Sequence, residues 1–312
     1  MVFAGILTLL VLCGTFSCRR QNSKAVQKRS GGKINVTSMI FPSYDFVRAI
    51  AGDKVNLVLL LPPGADSHSF EPSPRDIIII KESDLFIYSG GENSNWVDKI
   101  LSSLELGSGD MKVVRLIDLV DAMENDDHDH AHNYDTEFFD EHVWTSPLNA
   151  KIIAASLAEI LCGLDSANAA FYMQNAAAYL RQLNELDSAF RAVSEGAKRK
   201  TLIFGDRFPF RHLTEAYGLE SFAAFPSCSA EAEPSAASVV FLINKIKSEN
   251  IPVVFHMELS SEKTADIICE ATGAKKLLLH SAHNVSKKEF DSGANYIDLQ
   301  KANIVNLKEA LR

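Results

Sequence analysis

The sequence predicts an α/β protein made of two Rossmann-like lobes, each with a parallel sheet, joined by a long rigid helix. Three observations carry this. Short apolar runs alternate with amphipathic stretches from residue 33 to about 116, the pattern of a parallel sheet covered on both faces. The same alternation returns from residue 201 onward. Between the two, from about 147 to 196, apolar residues recur at helical spacing instead.

In the first unit, residues 33–41, 55–61, 85–89 and 112–116 read as strands, and 43–51, 75–82 and 95–103 as helices. In the second, 201–204, 221–225, 253–257 and 276–279 read as strands. Helices are expected over 207–217, 235–249, 261–272 and about 296–311. The middle segment carries Ile152, Ala155, Leu157, Ile160 and Leu161, then Phe171, Met173, Ala177, Leu180, Leu183, Leu186 and Phe190. Gly163-Leu164-Asp165 divides it. Residues 167–195 contain no Pro or Gly and would span about 40 Å as one helix, a stiff link permitting small tilts only. The organisation expected is a first lobe over 33–146, a helical segment over 147–197 and a second lobe over 198–312.

The 312 residues suffice for two cores, and a net charge of -9 gives no support to nucleic-acid binding. Residues 2–17 are mostly apolar and end at Phe16-Ser17-Cys18, followed by a basic, polar run to Gly31-Gly32. That layout suits a signal peptide ending in a lipoprotein-type box, with Cys18 lipidated and residues 19–32 as a flexible tether. Cys162, Cys228 and Cys269 show no Cys-x-x-Cys spacing, so neither a disulfide framework nor a thiolate zinc site is indicated.

Open α/β sheets bind ligands at the carboxyl ends of their strands, which sorts the histidines. His142 lies in Asp140-Glu141-His142-Val143-Trp144-Thr145-Ser146-Pro147, beside two acids that can fix an imidazole's tautomer. Ser146 and Pro147 then read as N-cap and first residue of a helix. His68 sits in a stiff Pro-rich loop directly after the strand 55–61. His280 directly follows the strand 276–279 and is favoured over His283, which could point to solvent. His256, inside a strand, reads as a buried or lobe-interface residue, and His212, on a helix, as a surface or packing residue. His128, His130 and His132 belong to an acidic tract, 124–135, suited to weak, reversible auxiliary metal binding.

Together these stretches resemble the zinc/manganese solute-binding lipoproteins of bacterial ABC importers. The resemblance rests on the segment 63–74 around His68, a His-rich loop, Asp140-Glu141-His142-Val143-Trp144, the Ala230–Ser235 stretch and Glu270-Ala271-Thr272-Gly273-Ala274-Lys275. It implies one ion held in the cleft between the lobes, with His68 and His142 as first-lobe ligands. The second lobe departs from the family: where a third ligand is usual the chain has Gly205, with Asp206 adjacent, and where an acid is usual it has His280. The implied ligand set is therefore His68, His142 and His280, with Asp206, a water or the His-rich loop as the fourth group. Three imidazoles favour Zn²⁺ over Mn²⁺. The implied role is capture of Zn²⁺ outside the cytoplasmic membrane by a lipid-anchored or periplasmic monomer, and delivery to an ABC permease. A manganese or iron binder, or an adhesin, would share the fold. A zinc hydrolase or lyase could use three histidines and an open position, but the chain has no His-Glu-x-x-His helix.

Overall fold

The computed structural model describes residues 32–91, 94–104, 111–120, 140–225 and 234–312. The leader with Cys18, the tether, Cys228 and the tract bearing His128, His130 and His132 lie outside the described residues.

The first sheet contains β1 (Ile34–Ser38), β2 (Val55–Leu59), β3 (Leu85–Tyr88) and β4 (Lys112–Arg115), all parallel in the order β2-β1-β3-β4. Its helices are α1 (Phe41–Ala51), α2 (Pro74–Lys81) and α3 (Asn95–Ser103). Pro42 opens α1, and a reciprocal Ser73–Asp76 capping box with Pro74 opens α2. The helical segment is α4 (Pro147–Leu164) and α5 (Ala169–Glu195). Ser146 holds the N-cap backbone of α4, but its hydroxyl makes no cap bond; Pro147 alone carries that start signal.

The second sheet contains β5 (Thr201–Phe204), β6 (Glu220–Ala223), β7 (Val253–His256) and β8 (Lys275–Leu278), parallel in the order β6-β5-β7-β8. Around it lie α6 (Arg211–Ala216), α7 (Ala236–Glu249), α8 (Lys263–Thr272), α9 (Lys287–Asp291) and α10 (Tyr296–Ala310). Helix α6 starts four residues later than the pattern suggests. Pro209 biases Phe208 away from helical backbone, so the chain turns only after it. Alternate residues of β5 and β7 face opposite cores: Leu202, Phe204, Val253 and Phe255 on one side, Ile203 and Val254 on the other.

Helix α5 buries a stripe of Tyr172, Ala176, Tyr179, Leu183, Leu186 and Phe190 at three- and four-residue spacing. Its first five members join the first lobe's core and Phe190 joins the second lobe's. It does not bridge alone. In α10, Tyr296 and Ile297 pack into the first core, while Leu307 and Ala310 pack into the second. The fully buried ring of Tyr296 meets Phe46 edge-on at 5.1 Å. Asp45 Oδ2 accepts the Tyr296 backbone N–H at 2.7 Å, and Arg48 donates to Ala294 O at 2.5 Å. The stretch before α10 therefore belongs spatially to the first lobe, although its sequence follows the last strand of the second.

Candidate metal centre

His142 is buried at the N-cap of the 3-10 turn Val143–Thr145. Asp140 Oδ1 accepts both the His142 backbone N–H (2.9 Å) and the ring Nδ1–H (2.8 Å). That contact puts the proton on Nδ1 and the lone pair on Nε2, the form that binds a metal. Burial opposes the charged imidazole, yet the bond and charge of Asp140, with Glu141 and Glu258 nearby, hold its pKa above the ordinary value. Burial likewise opposes ionisation of Asp140, but its bonds to His142 and the charges of His142 and His212 hold the carboxyl below the usual range.

The loop after β2 runs on through Leu60 and Leu61, which still bond to the first sheet. It then turns at Gly64, whose φ of +88 suits glycine. The backbone of His68 lies in the 3-10 turn Ser67–Ser69; its side chain is outside the described residues. Asp66 on this loop pairs across the cleft with Arg207, 3.3 Å away on the loop after β5.

The loop after β8 reaches the same place from the second lobe. His283 is buried, as is His280, so neither of the pair points to solvent as one of them was expected to. The His283 ring stands edge-on to His142 with centroids 5.3 Å apart, and 5.0 Å from Trp144. Its Nδ1 is 3.5 Å from Ser67 Oγ, next to His68. Trp144 Nε1 donates to Ser281 O at 3.0 Å, and Trp144 O accepts from Tyr296 Oη at 2.6 Å. Glu258 accepts from the Ser281 backbone N–H at 2.7 Å and from the Ser281 hydroxyl.

His280 and Asp206 are placed differently. The Nδ1 of His280 accepts the Ala282 backbone N–H at 2.9 Å, and Asn303 clamps its backbone N–H and C=O at 2.7 and 2.8 Å. Asp206 is buried, with one oxygen accepting Arg207 N–H (2.8 Å) and the other Met257 N–H (3.0 Å). It ties the end of β5 to the end of β7. His256 is half-buried with Nδ1 3.1 Å from Met257 O, the packing role expected. His212 is buried rather than superficial: its Nε2 is 3.0 Å from Asp140 O and its Nδ1 3.4 Å from Asn149. It fastens α6 to the loop that carries His142. Burial pulls its pKa below the ordinary value against the raising pull of Asp140. Among the described residues, no three His, Cys, Asp or Glu side chains cluster as a metal site, and the side chain of His68 is not among them.

The family described as "ZnuA: Zinc-uptake complex component A periplasmic" matches residues 36–310. The chain belongs to that family. It is 31% identical over 315 residues to the "High-affinity zinc uptake system protein ZnuA" of Bacillus subtilis, covering 99% of this chain and 96% of that protein. It is 30% identical over 311 residues to the "Zinc-binding lipoprotein AdcA" of Streptococcus pneumoniae, covering 97% of this chain but 60% of AdcA's own length. The crystal structure of the Zn(II)-bound ZnuA-like domain of that AdcA superimposes with a TM-score of 0.75 at 28% identity, over 90% of this chain and 99% of that domain. The two-lobed α/β architecture with its long central helix is thus the family's fold, and the family is one of metal-binding transport components rather than enzymes.

Proposed function

We propose that this chain captures Zn²⁺ outside the cytoplasmic membrane and hands it to an ABC permease. Membership of the zinc-uptake family supports the reading, and one observation of the site carries it. Asp140 accepts the His142 Nδ1–H and so puts the ring's lone pair on Nε2, the tautomer suited to a metal ligand, at a buried point where both lobes meet. His68, on the stiff loop ending beside His283, is the second first-lobe ligand. A nitrogen-rich site of this kind favours Zn²⁺ over the oxygen-preferring Mn²⁺. Cys18 carries the lipid that anchors a monomer to the membrane, and the tract around His128, His130 and His132 gathers zinc weakly before transfer. The function needs no bond-breaking chemistry: the protein must bind, shield and release an ion.

Calorimetric titration of the metal-free protein tests this. One Zn²⁺ per chain should bind with a Kd below about 1 μM, and Mn²⁺ at least about 100-fold more weakly. Stoichiometric Mn²⁺ binding as tight as that of Zn²⁺ would overturn the cargo assignment. Tight binding of neither ion would overturn the function.

A further inference from the structure

The segment that leaves β5 is rooted in the second lobe and reaches the first. A Cβ built on Gly205 would lie 2.5 Å from Ala265 Cα, so the segment starts pressed against the backbone of α8. Asp206 accepts the Arg207 and Met257 backbone N–H groups, which ties the next residue to the end of β7. Phe208 and Phe210 then pack on Phe204, their ring centroids 4.9 and 5.3 Å from it, and Phe210 is buried. From this fixed base two side chains cross to the first lobe. Arg207 pairs with Asp66 at 3.3 Å, two residues before His68. His212 Nε2 donates to Asp140 O at 3.0 Å, two residues before His142. A carbonyl oxygen only accepts, so this proton sits on Nε2, and Nδ1 is left facing Asn149 of α4 at 3.4 Å. The stretch 207–212 therefore clamps both loops that bear the proposed first-lobe ligands.

We infer that Arg207 gates the passage of zinc: the clamp opens at the Arg207–Asp66 ion pair to let the ion in or out, and stays closed at His212. The inference rests on the zinc-capture reading above. It makes Arg207 a positioning residue, acting through the loop that leads to His68 rather than by touching the ion. His142 is 4% exposed, so an ion reaches or leaves it only when some contact around it gives way. The contacts differ in how readily they do so.

The loop after β8 holds the 62–67 stretch through uncharged bonds to backbone. Gly64 N–H donates to Val285 O at 2.8 Å, and Asn284 Nδ2 to Pro62 O and Ala65 O at 2.8 and 2.9 Å. Asn284 and Val285 are buried, so salt and water compete little for these bonds. His212 is buried too, and its bond to Asp140 O is sheltered in the same way. The Arg207–Asp66 pair differs. The Asp66 side chain is 36% exposed, and a pair so exposed is worth no more than about a factor of five in an equilibrium. The clamp therefore gives way first at Arg207. Opening there frees the loop leading to His68, while Asp140 and His142 stay fixed. Zinc exchange then waits on one ion pair rather than on parting of the two sheets, which α5 and α10 oppose by packing into both cores.

The test follows zinc release from the full chain by stopped flow into excess chromophoric chelator. It compares wild type, Arg207→Gln, Asp66→Asn and the double variant. Arg207→Gln and Asp66→Asn should each release zinc about fivefold faster, with the zinc-free Tm of each within about 2 °C of wild type. The two changes alter the local charge in opposite senses. A simple effect of charge on the ion would slow release in Arg207→Gln and speed it in Asp66→Asn, whereas a gate speeds both. The double variant should be no faster than either single one, because the pair is broken once only. Release from Arg207→Gln at or below the wild-type rate overturns the inference. So does a double variant whose acceleration is the product of the two single ones, since the residues would then act independently. A wild type that binds no zinc removes the zinc-capture reading itself, a failure distinct from wild-type binding with unchanged release in the variants.

Discussion

The two sheets share one strand order, yet the loops at their carboxyl ends do different work. In the first lobe those loops carry the two residues proposed to hold the ion: the 62–67 stretch leads to His68, and Asp140 orients His142. In the second lobe the loop after β5 is taken up by structural contacts. Gly205 lies against α8, Asp206 staples β5 to β7, and Arg207 holds Asp66 across the cleft. Among the described residues, the loop after β8 brings the His283 imidazole beside His142 by folding onto the first lobe. Two sheets of one topology thus differ in their loops: the loop after β5 is held by packing and hydrogen bonds, while beside the first sheet Asp140 orients His142.

The largest effect should come from challenging the clamp. Gly205→Ala forces a methyl group against the backbone of α8, and overpacking against an unyielding neighbour costs about 3 kcal/mol. For a chain of this size that lowers Tm by about 5 °C. Gly205→His, which puts an imidazole at the end of β5, should be at least as damaging and should not tighten zinc binding. Gly163→Ala, with open space around it, is the control and should leave Tm within about 2 °C. Differential scanning calorimetry decides. If Gly205→Ala melts like wild type, the end of β5 is open and the contrast between the lobes collapses.

A smaller effect separates the two buried aspartates. Asp140→Asn keeps a hydrogen bond to His142 but removes the charge that sustains the ring's basicity, so zinc affinity should fall about 10–100-fold. Asp206→Asn should lose one backbone bond and about 1–2 kcal/mol of stability, with zinc affinity within about threefold of wild type. Equal losses of affinity would mean that Asp206 serves the ion after all.

Most of the scaffold was legible because its signals are local. Every strand lies within a few residues of its apolar run, and the absence of Pro and Gly from 167–195 announced α5. The Asp140–His142 bond was legible too, since the partners are two residues apart. Helix α9 was missed, although Ser286 and Glu289 form a capping box that the sequence displays. The rest was not legible, for a physical reason. The burial of His283 beside His142 depends on how the loop after β8 folds back onto the other lobe. The role of Gly205 depends on how closely α8 approaches it, and a lone glycine after a strand does not reveal its neighbour. The bond from His212 to Asp140 spans 72 residues, and no periodicity encodes it. Packing between elements decided these points.

The smallest expected effect concerns pH, and it tests His212 as part of the clamp. Its native pKa lies below the ordinary value of 6.5 because burial disfavours the charged ring, with Arg211 and His142 adding to that and Asp140 opposing it. Between that lowered pKa and 6.5, the unfolded chain binds more protons at this site than the native one. Stability must then fall as pH drops below 6.5. His142 acts in the other window. Its native pKa is raised, so its contribution is complete below 6.5 and is lost as pH rises through the raised value. Asp140, held below 3.8, adds a separate acid limb, its contribution lost only as pH falls through its native pKa. The two histidines should therefore place the stability maximum of the metal-free protein near pH 6.5. His212→Gln leaves an amide to donate to Asp140 O and has no titration, so it should weaken the decline of Tm as pH drops below 6.5 and leave the decline above 6.5 intact. A variant that declines on both sides as wild type does would show that α6 is held to the His142 loop by contacts other than this ring.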